Sequence, residues 1–457
     1  MLESPGLLSY DPTMTVTVER AAAAADVHAR LARHLLVDGF ELVLDLDRSH
    51  GSWLVDARDG REYLDLFTFF ASSALGMNHP ALAGDPVFRA ELLTAALSKP
   101  SNSDVYTVAM ARFVDTFARV LGDPALPHLF FVEGGAPAVE NALKVAFDWK
   151  SRWNEAHGLD PALGTRVLHL REAFHGRTGY TMSLTNTEPV KTARYPTFDW
   201  PRIDSPYVRA GISAAQQRDR ERAALAQAQE AFAAHPHDIA CVIVEPIQGE
   251  GGDHHFRPAF LQALQRLCHA HDALFVVDEV QTGCGLTGTA WAYQQLGLTP
   301  DVVAFGKKTQ VCGVMAGGRV DEVPDNVFAV SSRINSTWGG GLTDMVRARR
   351  ILEVVEADGL VPRAAALGRR LLALLRNLAE HHPGVTDPRG RGLMCAVSLE
   401  SRELRDLVVE RLRVDERVLV LGCGTRSLRF RPALTVTGQE LVAGVAALDR
   451  VLTDLGR

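Results

Sequence analysis

The chain has 457 residues, 47% of them hydrophobic, enough for a large core and for two or three domains. Charged residues make up 23% and the formal net charge is −7, with no concentrated basic patch, so nucleic acid is excluded as a partner. Six scattered cysteines exclude a disulfide framework and suit reduced thiols, and no Cys/His cluster at zinc spacing offers a metal site. The N-terminal stretch lacks a basic region followed by an apolar core, and no apolar run approaches the roughly 20 residues of a membrane helix. A cytoplasmic protein without membrane contact is expected.

Residues 1–15 read as a loose tail and residues 18–36 as an Ala-rich helix. Residues 42–66 read as short strands with turns at Ser49-His50-Gly51 and Asp59-Gly60. Residues 1–69 are too small for a domain and are expected to join a small one. From about residue 70, strand and helix patterns alternate. Apolar runs at 129–132, 167–170, 239–245, 274–277 and 302–305 flank helical stretches such as 138–155 and 216–235. That alternation predicts a largely parallel sheet covered on both faces, in a large domain spanning 70–343. Residues 344–457 predict a small α+β domain. It opens on an amphipathic stretch at 345–357 and has strands at 394–399, 418–421 and 428–430. It closes on a helix headed by the capping-box pattern Thr437-Gly438-Gln439-Glu440.

Two of the predicted strands end in ionisable residues. The run 274–277 ends in Asp278-Glu279, and 302–305 ends in Gly306-Lys307-Lys308. Open α/β sheets place ligands at such strand ends. An isolated pair of this kind reads as a salt bridge. An acid with an amine also suits pyridoxal phosphate, where lysine forms a Schiff base and aspartate keeps the pyridine nitrogen protonated. The segment FFVEGGAPAVENALK is a strand, a glycine turn and a helix start, so the N–H groups of Gly135 and Ala136 can face a phosphate, or the turn is an ordinary one. In AFHGRT, Phe174 can stack on a planar ring and Arg177 can grip a carboxylate; a core aromatic and a solvated arginine are the bland alternatives. Glu245 and Glu250 lie in an acid- and glycine-rich turn. Ser336-Thr337-Trp338 offers a hydroxyl to an anion. Arg426, Arg429 and Arg431 are expected to share one face of a strand.

The ordered set GGAPAVENALK, FHGRT, EPIQGEGG, VDEVQTGCGLTG, FGKK, STWGG and RSLRFRP resembles the class III, or ω-type, aminotransferases over roughly residues 40–450. The resemblance implies the PLP-dependent transferase fold type I, with a mixed, mostly parallel sheet in the large domain. It also implies pyridoxal 5'-phosphate as cofactor and a homodimer with shared sites. Matched by motif, Lys307 is the Schiff-base lysine and Asp278 the pyridine-nitrogen partner. Val280 packs on the ring, Gln281 bonds the phenolic oxygen and Phe174 stacks on the opposite face. Gly135 and Ala136 bind the phosphate, and Thr337 reaches the phosphate of the neighbouring subunit. Two positions depart from the family pattern: Gly341 stands where Asn is usual, and Pro137 where Glu is common.

Within the family, FGKK followed by TQVCGVMAGGRVDEV looks most like the lysine 6-aminotransferases, with 4-aminobutyrate or ornithine aminotransferase as the alternative. The substrates implied are L-lysine and 2-oxoglutarate. Arg177 would hold the distal carboxylate and Arg429 the α-carboxylate of the oxo acid. Glu250 would neutralise Arg429 when lysine presents its ε-amine, with Asn335 and Glu245 as supporting polar contacts. A decarboxylase or racemase needs no such switch, and a non-catalytic module would not need Lys307, Asp278 and both arginines.

Overall fold

The computed structural model describes residues 24–456. Its centre is a seven-stranded sheet of β3 (His128–Val132), β4 (Arg166–Leu170), β5 (Arg202–Ile203), β6 (Ile239–Val244), β9 (Leu274–Asp278), β10 (Val302–Phe305) and β11 (Cys312–Ala316). The order across the sheet is β3-β11-β10-β9-β6-β4-β5. β11 runs antiparallel to both its neighbours, and every other pair is parallel. The sheet is thus mixed and mostly parallel, and with its helices the chain has fold type I.

β6, β9 and β10 are buried at every position, which is why they read as continuous apolar runs rather than alternating ones. Alternation persists in where the side chains go. Leu274, Val276, Val302 and Ala304 join the core under α2 (Gly135–Ala156) with Val139, Leu143 and Trp149. Phe275, Val277, Val303 and Phe305 face the opposite way. There they meet Phe113 and Phe117 of α1 (Val108–Val120), Phe260 and Leu264 of α4 (Pro258–Ala270), and Met345 and Leu352 of α5 (Leu342–Ala357). α3 (Ala214–Ala234) closes this second layer. By the same period of two, Asp278 falls on the α2 face.

A second core surrounds the four-stranded antiparallel sheet β12-β13-β16-β15, made of β12 (Thr386–Arg391), β13 (Met394–Ser398), β15 (Leu421–Cys423) and β16 (Ser427–Phe430). The helices α6 (Leu360–His381), α7 (Arg402–Val414) and α8 (Gly438–Asp454) supply its apolar side chains. Thr437 and Glu440 form a complete capping box at the head of α8. The N-terminal hairpin of β1 (Trp53–Val55) and β2 (Glu62–Asp65) joins this region, because β2 pairs in parallel with β14 (Val418–Leu419). A two-stranded ribbon of β7 (Ile247–Gln248) and β8 (His254–His255) completes the strands.

Two expectations change. Within the stretch expected to be helical at 18–36, residues 18–23 lie outside the described residues. In the described part, residues 24–25 and Val27–Leu31 are helical, Val27–Leu31 buries none of its side chains, and residues 32–36 are not helical. The arginine row does not share one face: Arg426 and Arg429 are three residues apart, an odd number, and Arg426 precedes β16 and is exposed, while Arg429 and Arg431 are buried. Gly341, the departure from the family pattern, has an ordinary φ of −79° as N-cap of α5, so its backbone angle does not require glycine, and a side chain there would stand 3.0 Å from Asp344 Oδ2 and 3.1 Å from Glu133 Oε1. Among the described residues no helix is long and apolar enough to cross a membrane.

Candidate active site

A cavity of about 290 Å³ opens where β6, β9 and β10 end and α2 begins. Ten residues singled out from the sequence line it: Gly135, Ala136, Phe174, Arg177, Glu245, Glu250, Asp278, Val280, Gln281 and Lys307. The N–H groups of Gly135 and Ala136 lie in the first turn of α2, where an anion is favoured by free donors and by the helix dipole. A side chain at Gly135 would meet Val280 Cγ1 at 2.9 Å, so glycine keeps this wall open.

Asp278 is fixed from two sides. Val280 N donates to its Oδ1 at 3.0 Å, and His175 Nδ1 lies 2.8 Å from its Oδ2. His175 was not found from the sequence, although it adjoins Phe174. Burial alone would depress its pKa, but the bond to Asp278 and that residue's charge raise it. Glu245 has both oxygens engaged by backbone: Oε1 accepts from Phe174 N and Oε2 from Gly249 N, each at 3.0 Å. Burial pushes its pKa to about 7. Glu245 therefore sets the position of the Phe174 ring and of the glycine loop.

The two lysines separate cleanly. Lys307 sits in a left-handed conformation, φ +55°, and faces the cavity. Burial, with Arg429 and Arg431 nearby, lowers its pKa to about 8. Lys308 turns the other way and donates to Ala71 O at 2.6 Å. Gln281 accepts from Arg431 Nη2 at 3.1 Å, and Arg431 forms a buried two-point ion pair with Asp253. This arginine–aspartate pair went unrecognised in the sequence because Asp253 and Arg431 are distant along the chain.

Arg429 lies beside the cavity, with Nη2 2.9 Å from Glu250 Oε2. Its Nε and Nη1 are buried without a hydrogen-bond partner among the described residues. Burial opposes ionisation of Glu250, but Arg429 and Lys191 outweigh it and hold the carboxyl at about 2. Arg177 is exposed at the rim. Asn335 and Thr337 are not brought to the cavity within one chain. Their segment packs on residues 99–103, where Ser103 Oγ donates to Ser336 O at 2.7 Å and Lys99 Nζ stands 3.7 Å from the Trp338 ring centre.

An anion-binding helix start, a carboxylate, an amine and an aromatic wall around one small cavity define a site for a phosphorylated ring that captures amines. Residues 37–452 match the class III aminotransferases, and the chain belongs to that family. It is a PLP-dependent aminotransferase. The L-lysine-epsilon aminotransferase of Mycobacterium tuberculosis is 67% identical over 427 residues, covering 93% of this chain and 95% of that protein. The protein of the same name from Streptomyces clavuligerus is 60% identical, covering 94% of each. The solved structure described as lysine aminotransferase from M. tuberculosis in the internal aldimine form superposes with a TM-score of 0.94 at 66% identity, covering 94% of this chain and 99% of that one.

Proposed function

We propose that this chain is an L-lysine 6-transaminase, which moves the ε-amino group of L-lysine to 2-oxoglutarate and yields 2-aminoadipate 6-semialdehyde and L-glutamate. The observation that carries this reading is Glu250 seated on Arg429 beside Lys307. An arginine for an α-carboxylate is needed by the oxo acid and is a liability for a donor that arrives with a bare terminal amine. Glu250 removes the liability in the first state and must vacate in the second. The 60–67% identity to enzymes named for lysine supports that donor over 4-aminobutyrate or ornithine, which the same machinery would serve.

Bound pyridoxal phosphate supplies an aldehyde for the amine and a ring that takes up the electrons released at the amine-bearing carbon. Gly135 and Ala136 would hold its phosphate, Phe174 and Val280 its two faces, Asp278 its ring nitrogen and Gln281 its phenolic oxygen. Lys307 would hold the aldehyde and, once released by substrate, carry the proton between the substrate carbon and the cofactor carbon. Its depressed pKa keeps an appreciable share of the amine neutral near neutral pH, as a base requires. Arg177 at the rim would take the distal carboxylate of either substrate.

Thr337 and Asn335 would act on the site of a second copy, which makes the working unit a homodimer. Residues 70–343 would form the cofactor domain, with α5 carrying Met345 and Leu352 into its core, and the rest of 344–457, with 1–69, the small one. Unpaired, buried cysteines support a reducing cytoplasmic compartment. The test is isotopic. With lysine labelled by ¹⁵N at the ε position and 2-oxoglutarate, the label should appear in glutamate. Label transfer only from the α position would overturn the reading.

A further inference from the structure

Glu250 is held by two cations, and only one of them is Arg429. Lys191 Nζ lies 2.7 Å from Glu250 Oε1, the oxygen that Arg429 does not take. The Lys191 side chain is only 8% exposed and ends the short turn Pro189–Lys191. It is anchored by Glu188 Oε2 at 3.2 Å and by Thr187 Oγ1 at 3.4 Å, and its Nζ stands 5.3 Å from the centre of the Phe174 ring. Arg402 pairs with the same Glu188 at 3.3 Å and steadies the turn. No sequence motif pointed to this lysine.

A carboxylate pushed off Arg429 cannot be left alone in a largely buried place, because an unpaired charge there is strongly unfavourable. We infer that Lys191 is a positioning residue that retains the Glu250 carboxylate when the acceptor's α-carboxylate displaces it from Arg429. Lys191 thereby sets the balance between the amine-donor and oxo-acid forms of the pocket. The inference rests on Glu250 being the displaced group. Arg429 has two buried donors free for the newcomer, Nε and Nη1. Glu250 then need only swing Oε2 away while Oε1 stays on Lys191. Without Lys191, the acid's remaining strong partner is Arg429, and the oxo acid has to compete for it.

The experiment is stopped-flow absorbance of the cofactor-loaded enzyme in each half-reaction, L-lysine in one and 2-oxoglutarate in the other. Lys191→Met should raise the half-saturating concentration of 2-oxoglutarate at least tenfold, with an effect on that of lysine at least threefold smaller. Lys191→Arg should recover most of the loss. Equal effects on both substrates, or none on 2-oxoglutarate, would overturn the inference. Glu250→Ala, measured alongside, separates the two levels. If it treats both half-reactions alike, the displacement reading itself fails. If it splits them and Lys191→Met does not, only the role of Lys191 is refuted. In the Glu250→Ala background no carboxylate remains to compete for Arg429, so Lys191→Met should no longer raise the half-saturating concentration of 2-oxoglutarate.

Discussion

Glu279 shows how far one residue can be removed from the chemistry and still matter to the protein. It follows Asp278, is fully buried, and turns away from the cavity to accept from Thr282 Oγ1 and, at 2.7 Å, from Tyr293 N. Burial outweighs these bonds and raises its pKa from 4.5 to about 7. A folded-state pKa above the unfolded one means that the contribution is fully present below about pH 4.5. It is lost as pH rises through about 7. Glu279→Gln removes this titration. A tenfold change in proton affinity corresponds to about 1.4 kcal/mol, so the stability of the natural protein relative to the variant should fall by about 3 kcal/mol between those limits. Urea unfolding of both proteins across that range checks it, and a pH-independent difference would show that Glu279 is not buried as an acid. The adjacent lysines are told apart at the same scale. Lys307→Ala should abolish the cofactor's covalent attachment, whereas Lys308→Met should retain it and lose about 1–3 kcal/mol of stability, as expected for an orphaned buried carbonyl at Ala71. The opposite spectroscopic pattern would mean that the wrong lysine had been assigned.

Among the elements, the turn that Lys308 supports explains much of what the sequence leaves unread. Residues 68–71 all have positive φ, from 44° to 70°, with no glycine among them. L-residues enter this region reluctantly, so the turn persists only because its surroundings fix it. Asp65 Oδ1 accepts from Phe67 N and Thr68 N, Thr68 Oγ1 donates to Arg431 O, and Lys308 and Gln310 bind the carbonyls of Ala71 and Ser72. Apart from Asp65, those partners lie more than 200 residues away in the chain, beyond any local pattern. The buried parallel strands are legible, because β6, β9 and β10 are short apolar runs bounded by turns. β11 does not read as a strand: Gly313 interrupts it, and that glycine is there because a side chain would meet Phe130 O at 2.2 Å on the neighbouring strand. The cavity residues carried by motifs are legible for the same local reason. His175, Lys191 and the Asp253–Arg431 pair are not, since their partners are set by tertiary packing.

For the whole molecule, the surface around residues 97–108 and 338 is the feature a single chain leaves unexplained. Leu97, Val105, Tyr106 and Val108 are exposed large apolar side chains close along the chain, and Trp338, also exposed, meets them at Lys99; exposed apolar surface of this kind marks contacts with other chains. A homodimer with shared sites would cover them and bring Thr337 to the partner's phosphate. Thr337→Ala should then weaken cofactor binding about tenfold or more, the scale of a hydrogen bond to a charged group. A heterodimer with Lys307→Ala on one subunit and Thr337→Ala on the other should regain one site of normal affinity. Only weak sites in that heterodimer would place Thr337 in its own subunit's site. The central claim, lysine as donor at a class III site, is tested most directly by a single turnover. The cofactor-loaded protein is mixed separately with L-lysine, 4-aminobutyrate and L-ornithine, without oxo acid, and the cofactor absorbance is followed. Lysine alone should convert the bound cofactor to its aminated form at a useful rate, with one equivalent of semialdehyde released. Faster conversion by 4-aminobutyrate or ornithine would contradict the assignment.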